Sequence, residues 1–142
     1  MATSLISTSA NADEASAANE FTVAASDGGA ARVQGNGTAT CQSGRVCVYS
    51  EYWWYGRGAS FEYTFHAWSH LRSEVAWISN RGRSGHNNGN SMNVCLYEYN
   101  NHNGHYYYLV RGLGESAFSN GNPPLHDRLS SNRWVSGGSG NC

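Results

Sequence analysis

The chain repeats itself, and the repeat limits the folds open to it. Val46-Cys47-Val48-Tyr49 followed by Gly56 returns 48 positions later as Val94-Cys95-Leu96-Tyr97 followed by Gly104, with the same spacing from tyrosine to glycine. Ser79-Asn80-Arg81 with Ser84-Gly85 returns 52 positions later as Ser131-Asn132-Arg133 with Ser136-Gly137. Two matches in the same order mark a tandem duplication, with units over approximately 44–85 and 92–137. The larger second offset predicts about four additional residues in the second unit, placed at Gly121-Asn122-Pro123-Pro124.

Each unit reads the same way. A strand (46–50, 94–99) leads to a turn at Gly56 or Gly104, and a second aromatic strand follows (58–65, 105–110). A less regular stretch (66–76, 111–126) returns to a strand at Ser-Asn-Arg. Short β-branched and aromatic runs between Gly, Asn and Ser breaks predict an all-β domain, because no long segment keeps a helical period. Three hairpin-linked strands and a longer return make a Greek key, and two of them pack face to face as a sandwich.

Composition narrows the function classes. Charged residues are 13% of the 142, the net charge is −1, and every basic residue is arginine. No basic stripe exists to neutralise phosphates, which argues against a nucleic-acid partner. No run of eighteen apolar residues exists to form a transmembrane segment. Four cysteines at 41, 47, 95 and 142 lack the close pairs of a zinc site and suggest disulfides in a secreted, extracellular protein. Residues 1–40 are rich in Ala, Ser, Thr, Asn and Gly and hold one aromatic residue, Phe21. Such a stretch cannot offset its ordering entropy by burial, so it reads as an extended or disordered N-terminal arm (propeptide, linker or docking arm) before a domain over 41–142.

Tyr49-x-Glu51-x-x-Trp54-x-Gly56 resembles the folded-hairpin signature of βγ-crystallin Greek keys, and Tyr97-x-Tyr99-x-x-His102-x-Gly104 is similar, with Tyr99 and His102 departing from the pattern. Ser79 and Ser131 fall where that family places its turn serine. The start of the domain, CQSGRVCVYSE, resembles secreted bacterial peptidase inhibitors of the metalloproteinase-inhibitor type. The resemblance implies a two-unit βγ-crystallin-like sandwich, with Tyr49 and Trp54, and Tyr97 and His102, as aromatic lids. Phe61, Phe65, Trp68, Trp77, Phe118 and Trp134 are the expected interior rings. Cys41–Cys47 and Cys95–Cys142 are the expected disulfides, with a direct bond between the repeat-equivalent Cys47 and Cys95 as the alternative.

Many members of that family bind calcium through two acidic or amide residues, two spacers, then Ser/Thr and Ser. Here Asp127, Ser130 and Ser131 match, but His126 opens the motif. In the first unit the frame beginning at Glu74 puts Val75 and Ile78 where oxygen ligands belong. Calcium needs six to eight oxygens, so no cofactor is expected. No catalytic motif such as G-x-S-x-G or H-E-x-x-H occurs, and the protein reads as non-enzymatic.

Alternation along a strand separates Trp54 from Trp53 and Tyr55. The second unit has Asn100-Asn101-His102-Asn103 at this place, so a shared core role does not require the rings. Trp53 and Tyr55 are therefore candidate partner contacts, as rigid exposed aromatics commonly are. The Asn/Gly-rich stretch 81–93 is either a polar connector or a protruding inhibitory loop. The leading function is a protein-binding peptidase inhibitor. The alternatives are an adaptor subunit of a secreted, toxin-like assembly that docks through its arm, using Phe21 and Val23, and a carbohydrate- or cell-wall-binding or killer-toxin-like protein.

Overall fold

The computed structural model describes residues 28–142. Among these residues eight strands occur: β1 (Ala30–Asn36), β2 (Arg45–Tyr49), β3 (Tyr55–Phe61), β4 (Ser84–Asn88), β5 (Asn93–Tyr99), β6 (Asn103–Leu109), β7 (Gly114–Glu115) and β8 (Ser131–Val135). One short helix, α1 (Ser73–Ala76), interrupts the first unit. One sheet has the order β1-β3-β2-β4-β7 and the other β6-β5-β8, all pairs antiparallel. This is the expected all-β sandwich of two Greek-key units.

Alternation places the core. Val46 and Val48 of β2, Phe61 of β3, and Val94 and Leu96 of β5 join Phe65, Trp68, Phe118 and Trp134 in one buried cluster between the sheets. The Phe61 and Trp68 rings stack at 4.8 Å between centroids, and Phe61 meets Phe65 at 5.6 Å. Each fully buried large apolar side chain contributes about 1.5–3 kcal/mol. The opposite faces are covered as well. Tyr49 and Cys41–Cys47 pack with Val33 and Trp54 on one sheet, and Tyr97 and Cys95 with Val135 on the other. Cys95–Cys142 ties the C-terminus down, so both expected disulfides are formed and no described cysteine is free.

The units exchange their third segments. β7 of the second unit pairs with β4 of the first, Gly85 facing Glu115 and His86 facing Gly114. Reciprocally, Phe65 of the first unit bridges Asn132 on β8, through main-chain bonds of 3.2 and 3.1 Å. Buried polar groups close the crossover. Trp68 Nε1 donates to Asn132 Oδ1 at 2.8 Å, and Asn132 Nδ2 donates to the Tyr63 carbonyl at 3.0 Å.

Three details differ from the sequence expectation. Residues 30–36, assigned by composition to the arm, are the edge strand β1, paired over its whole length with β3. Small residues suffice there, because β3 supplies the hydrogen-bonding edge. Next, Tyr49 faces Ser84 and Tyr97 faces Ser131, so the counterpart of Ser131 is Ser84 rather than Ser79. Residues 79–81 lie in the turn after α1, and the second unit has no four-residue excess. A repeated tripeptide suggested the wrong register, whereas cross-strand pairing sets the true one. Finally, Trp77 is only partly buried at the margin of the core, unlike the other five expected interior rings.

Candidate functional site

Each unit folds its first hairpin back on itself by the same backbone device. Trp53 and Trp54 have φ of 61° and 63°, and Asn101 and His102 have 62° and 59°. Two consecutive left-handed non-glycine residues cost about 1–2 kcal/mol each. Gly56 (φ 82°) completes the turn, and a Cβ there would lie 2.6 Å from Glu51 Cγ. Ser84, wholly buried, holds the fold-back: its Oγ donates to the Glu51 carbonyl at 2.7 Å and accepts the Trp54 N–H at 3.0 Å. Ser131 repeats this in the second unit, donating to the Tyr99 carbonyl at 2.7 Å and accepting the His102 N–H at 3.4 Å.

This backbone sorts the four rings of residues 52–55. Trp54 turns onto the sheet, where its Nε1 donates to the Gly85 carbonyl at 2.7 Å, and Tyr49 beneath it is fully buried. Burial raises the Tyr49 phenol above its ordinary value, partly offset by the bond to Thr40. Trp53 points outward with 63% of its surface exposed, and Tyr55 with 50%. Trp53 is nonetheless held in place: its N–H donates to the Ser116 carbonyl at 2.9 Å, and its ring meets Trp54 edge-on at 6.1 Å.

The Ser116 bond joins the segment just after β7 to the hairpin. The loop between β6 and β7, held by Asn87 of β4, exposes Val110 and Leu113, two apolar residues absent from the sequence-based candidates. Only the exchange of β7 into the first sheet brings Ser116 to the hairpin, and nothing local in the sequence signals it. Phe21 and Val23 lie outside the described residues. The stretch 81–93 does not protrude as a loop, because its centre, Ser84–Asn88, is β4. Asn87 is buried there, donating to the Met92 and Leu109 carbonyls at 3.1 and 3.0 Å.

Of the calcium candidates, Asp127 and Ser130 line two adjoining open grooves, whereas Ser131 is buried. One, about 390 Å³, includes Asn80, Glu98, Asp127, Arg128 and Ser130, and the other includes Glu51, Asn80, Arg83 and Asp127. Asn80 (φ 63°) and Asp127 (φ 61°) occupy equivalent left-handed positions, four residues before Ser84 and Ser131. The first-unit frame is therefore Ser79-Asn80-Arg81-Gly82-Arg83-Ser84, and Arg83 takes the position in this frame that Ser130 has in the second unit.

Chain cations already engage the carboxylates. Arg83 grips Asp127 with two bonds, 3.0 and 3.3 Å, and this pairing raises the guanidinium further above its usual value. Glu98, whose side chain is only 3% exposed, accepts from Arg128 and from His105 Nδ1 at 3.0 Å, and the His105 bond leads in holding its carboxyl below the usual range. Ser130 Oγ shares its one proton between two acceptors, the Glu98 carbonyl at 3.1 Å and Asn80 Oδ1 at 3.2 Å. With both carboxylates paired to chain cations these residues do not fit a calcium ion, and among the described residues no group of three or more His, Cys, Asp or Glu side chains is placed to hold a metal.

Comparison with solved structures shows the fold. The chain is similar to a structure described under the evolution of the eye-lens βγ-crystallin domain fold, with TM-score 0.61 and 12% identity over 77% of this chain and 99% of that one. It is similar to a βγ-crystallin from an archaeon, with TM-score 0.51 and 18% identity over 66% of this chain and all of the other. A Ciona intestinalis βγ-crystallin gives TM-score 0.52 at 14% identity over 65% and 100%. No curated protein matches the chain by sequence. The sequence profile of peptidase inhibitor family I36 matches residues 34–109, a span that begins inside β1 and runs through both folded hairpins to the end of β6. On that match, which covers more than half of its length, the chain belongs to peptidase inhibitor family I36.

Proposed function

We propose that the protein is a secreted, non-enzymatic inhibitor that seats the exposed aromatic hairpin of its first unit against a protease. Family membership supplies the class of activity. The observation that carries the site is the rigid presentation of Trp53 and Tyr55 on a backbone locked by Ser84 and Ser116. A pre-formed apolar projection loses little conformational freedom on binding, and rigid aromatic anchors carry a large share of interface energy. The two disulfides suit the oxidising exterior in which a secreted protease would be met.

The test is inhibition of a protease panel by the full chain, with thermolysin as the first metalloprotease. Trp53→Ala and Tyr55→Ala, both at exposed positions, are expected to weaken the inhibition constant by at least about tenfold each while leaving the unfolding midpoint unchanged. Absence of inhibition at micromolar concentration throughout the panel would defeat the inhibitor reading. Inhibition that survives both substitutions would defeat this hairpin as its site.

A further inference from the structure

The arginines of this chain are not spread evenly, and neither are its acids. Residues 1–27 hold four carboxylates (Asp13, Glu14, Glu20, Asp27) and no basic side chain, whereas residues 28–142 hold nine arginines against six carboxylates. Six of those arginines fall between Arg32 and Arg83. The near-neutral whole therefore conceals an acidic segment attached to a basic domain.

The basic side has a built centre. Trp77, at the C-terminal end of α1, lies beneath two guanidinium groups, that of Arg57 at 4.5 Å from the ring centroid and that of Arg81 at 5.0 Å. Register places Gln34 opposite Arg57 and Arg32 opposite Ala59, so Arg32 and Arg57 share one face of the β1–β3 pair. Arg57 donates to the main-chain oxygen of Glu74 at 3.3 Å and Arg81 to that of Trp77 at 2.7 Å. None of Arg32, Arg57 and Arg81 forms an ion pair with a carboxylate of the described residues. Arg57 Nε is shielded and lacks any acceptor. The nearby acids do not serve this face: Glu51 and Asp127 lie with Arg83, and Glu74 offers only its carbonyl. Stacking on an aromatic ring holds a guanidinium in place while leaving its N–H edge free for a carboxylate.

We propose that this arginine–tryptophan face is the docking surface for the acidic segment 1–27 of the same chain. Charge complementarity is the first reason. Position is the second. The segment joins the domain at Gly28-Gly29, immediately before β1, and α1 packs alongside β1, with Arg72 donating to the Ala30 carbonyl at 3.4 Å. Glu20, ten residues before Ala30, can lie up to about 33 Å away along an extended chain, a reach longer than the step along β1 from Ala30 to Gln34, which lies opposite Arg57. Tethering supplies a millimolar effective concentration, so weak charge pairing suffices. The inference does not rest on the inhibitor reading.

The test uses the full chain, labelled for NMR, reading the Trp77 indole N–H and the Arg57 and Arg81 Nε–H resonances. They are expected to shift when sodium chloride is raised from about 0.02 M to about 0.5 M, as pairing is screened. A variant with Asp13→Asn, Glu14→Gln, Glu20→Gln and Asp27→Asn should show the high-salt positions already at low salt. An Arg57→Gln, Arg81→Gln variant should leave the backbone amides of residues 13–27 insensitive to salt. Equal unfolding midpoints for all variants exclude a folding effect. Identical Trp77 and arginine resonances in wild type and arm-neutral chain at low salt overturn the proposal. Shifts that grow with protein concentration also overturn it, because the segment would then come from a second copy.

Discussion

The serine that locks the first hairpin offers the sharpest test of the fold. Ser84→Ala removes a hydroxyl that serves two main-chain groups at once, the Glu51 carbonyl at 2.7 Å and the Trp54 N–H at 3.0 Å. Ser84 is fully buried, so water cannot freely replace it. A lost bond that leaves a buried partner unsatisfied costs about 1–3 kcal/mol. The hydroxyl also offsets two left-handed tryptophans, so about 2–3 kcal/mol is expected for the pair of bonds together. Ser79→Ala is the matched control, since no side-chain bond accompanies Ser79 and its loss should lie within about 0.5 kcal/mol of zero. Urea unfolding monitored by tryptophan fluorescence reads both. With a slope of about 1–3 kcal/mol/M, the Ser84 variant should unfold roughly 1–2 M earlier with the slope unchanged. Equal midpoints for the two variants would refute the assigned register and with it the pseudo-symmetry of the hairpins.

Replacing Cys95 and Cys142 by serine opens a loop spanning 47 positions and, by the loop-entropy argument, should cost about 4 kcal/mol in the same assay. Glu98 gives a pH signature. Its carboxyl is depressed in the fold, chiefly by the His105 bond, so its stabilisation is complete above the unfolded value near 4.5 and is lost as pH falls through the lower folded value. Glu98→Gln should flatten the acid limb of a plot of unfolding midpoint against pH, and an unchanged limb would count against this assignment. Millimolar calcium should leave the thermal midpoint of the wild-type chain where it is, because Arg83 and Arg128 already engage the carboxylates. A rise of several degrees would show that an ion displaces them.

Local features were legible in the sequence because local physics decides them. Gly56 and Gly104 mark backbone positions that a Cβ would obstruct. Alternation also set Trp53 and Tyr55 apart from Trp54, although consecutive left-handed residues in a turn, not a strand, are what sort the rings. Features decided by distant partners were not legible. β1 is written in Ala, Arg, Val, Gln, Gly and Asn, a composition that names no structure until β3 offers its edge. The duplicated Ser-Asn-Arg attracted the alignment to Ser79, although only the pairing of Tyr49 with its neighbour strand identifies Ser84. The first-unit ligand frame moved with it, which is why Arg83 was overlooked as the cation beside Asp127. Ser116 reaches the hairpin to hold Trp53 only through an exchange between units that no window of sequence contains.

That exchange has a consequence for how the protein comes apart. A cut in the short connector after β4 would yield two fragments, each carrying the ribbon that completes its sibling's layer. Neither fragment could close its own architecture, so melting should proceed in one step however independent the ancestral halves once were.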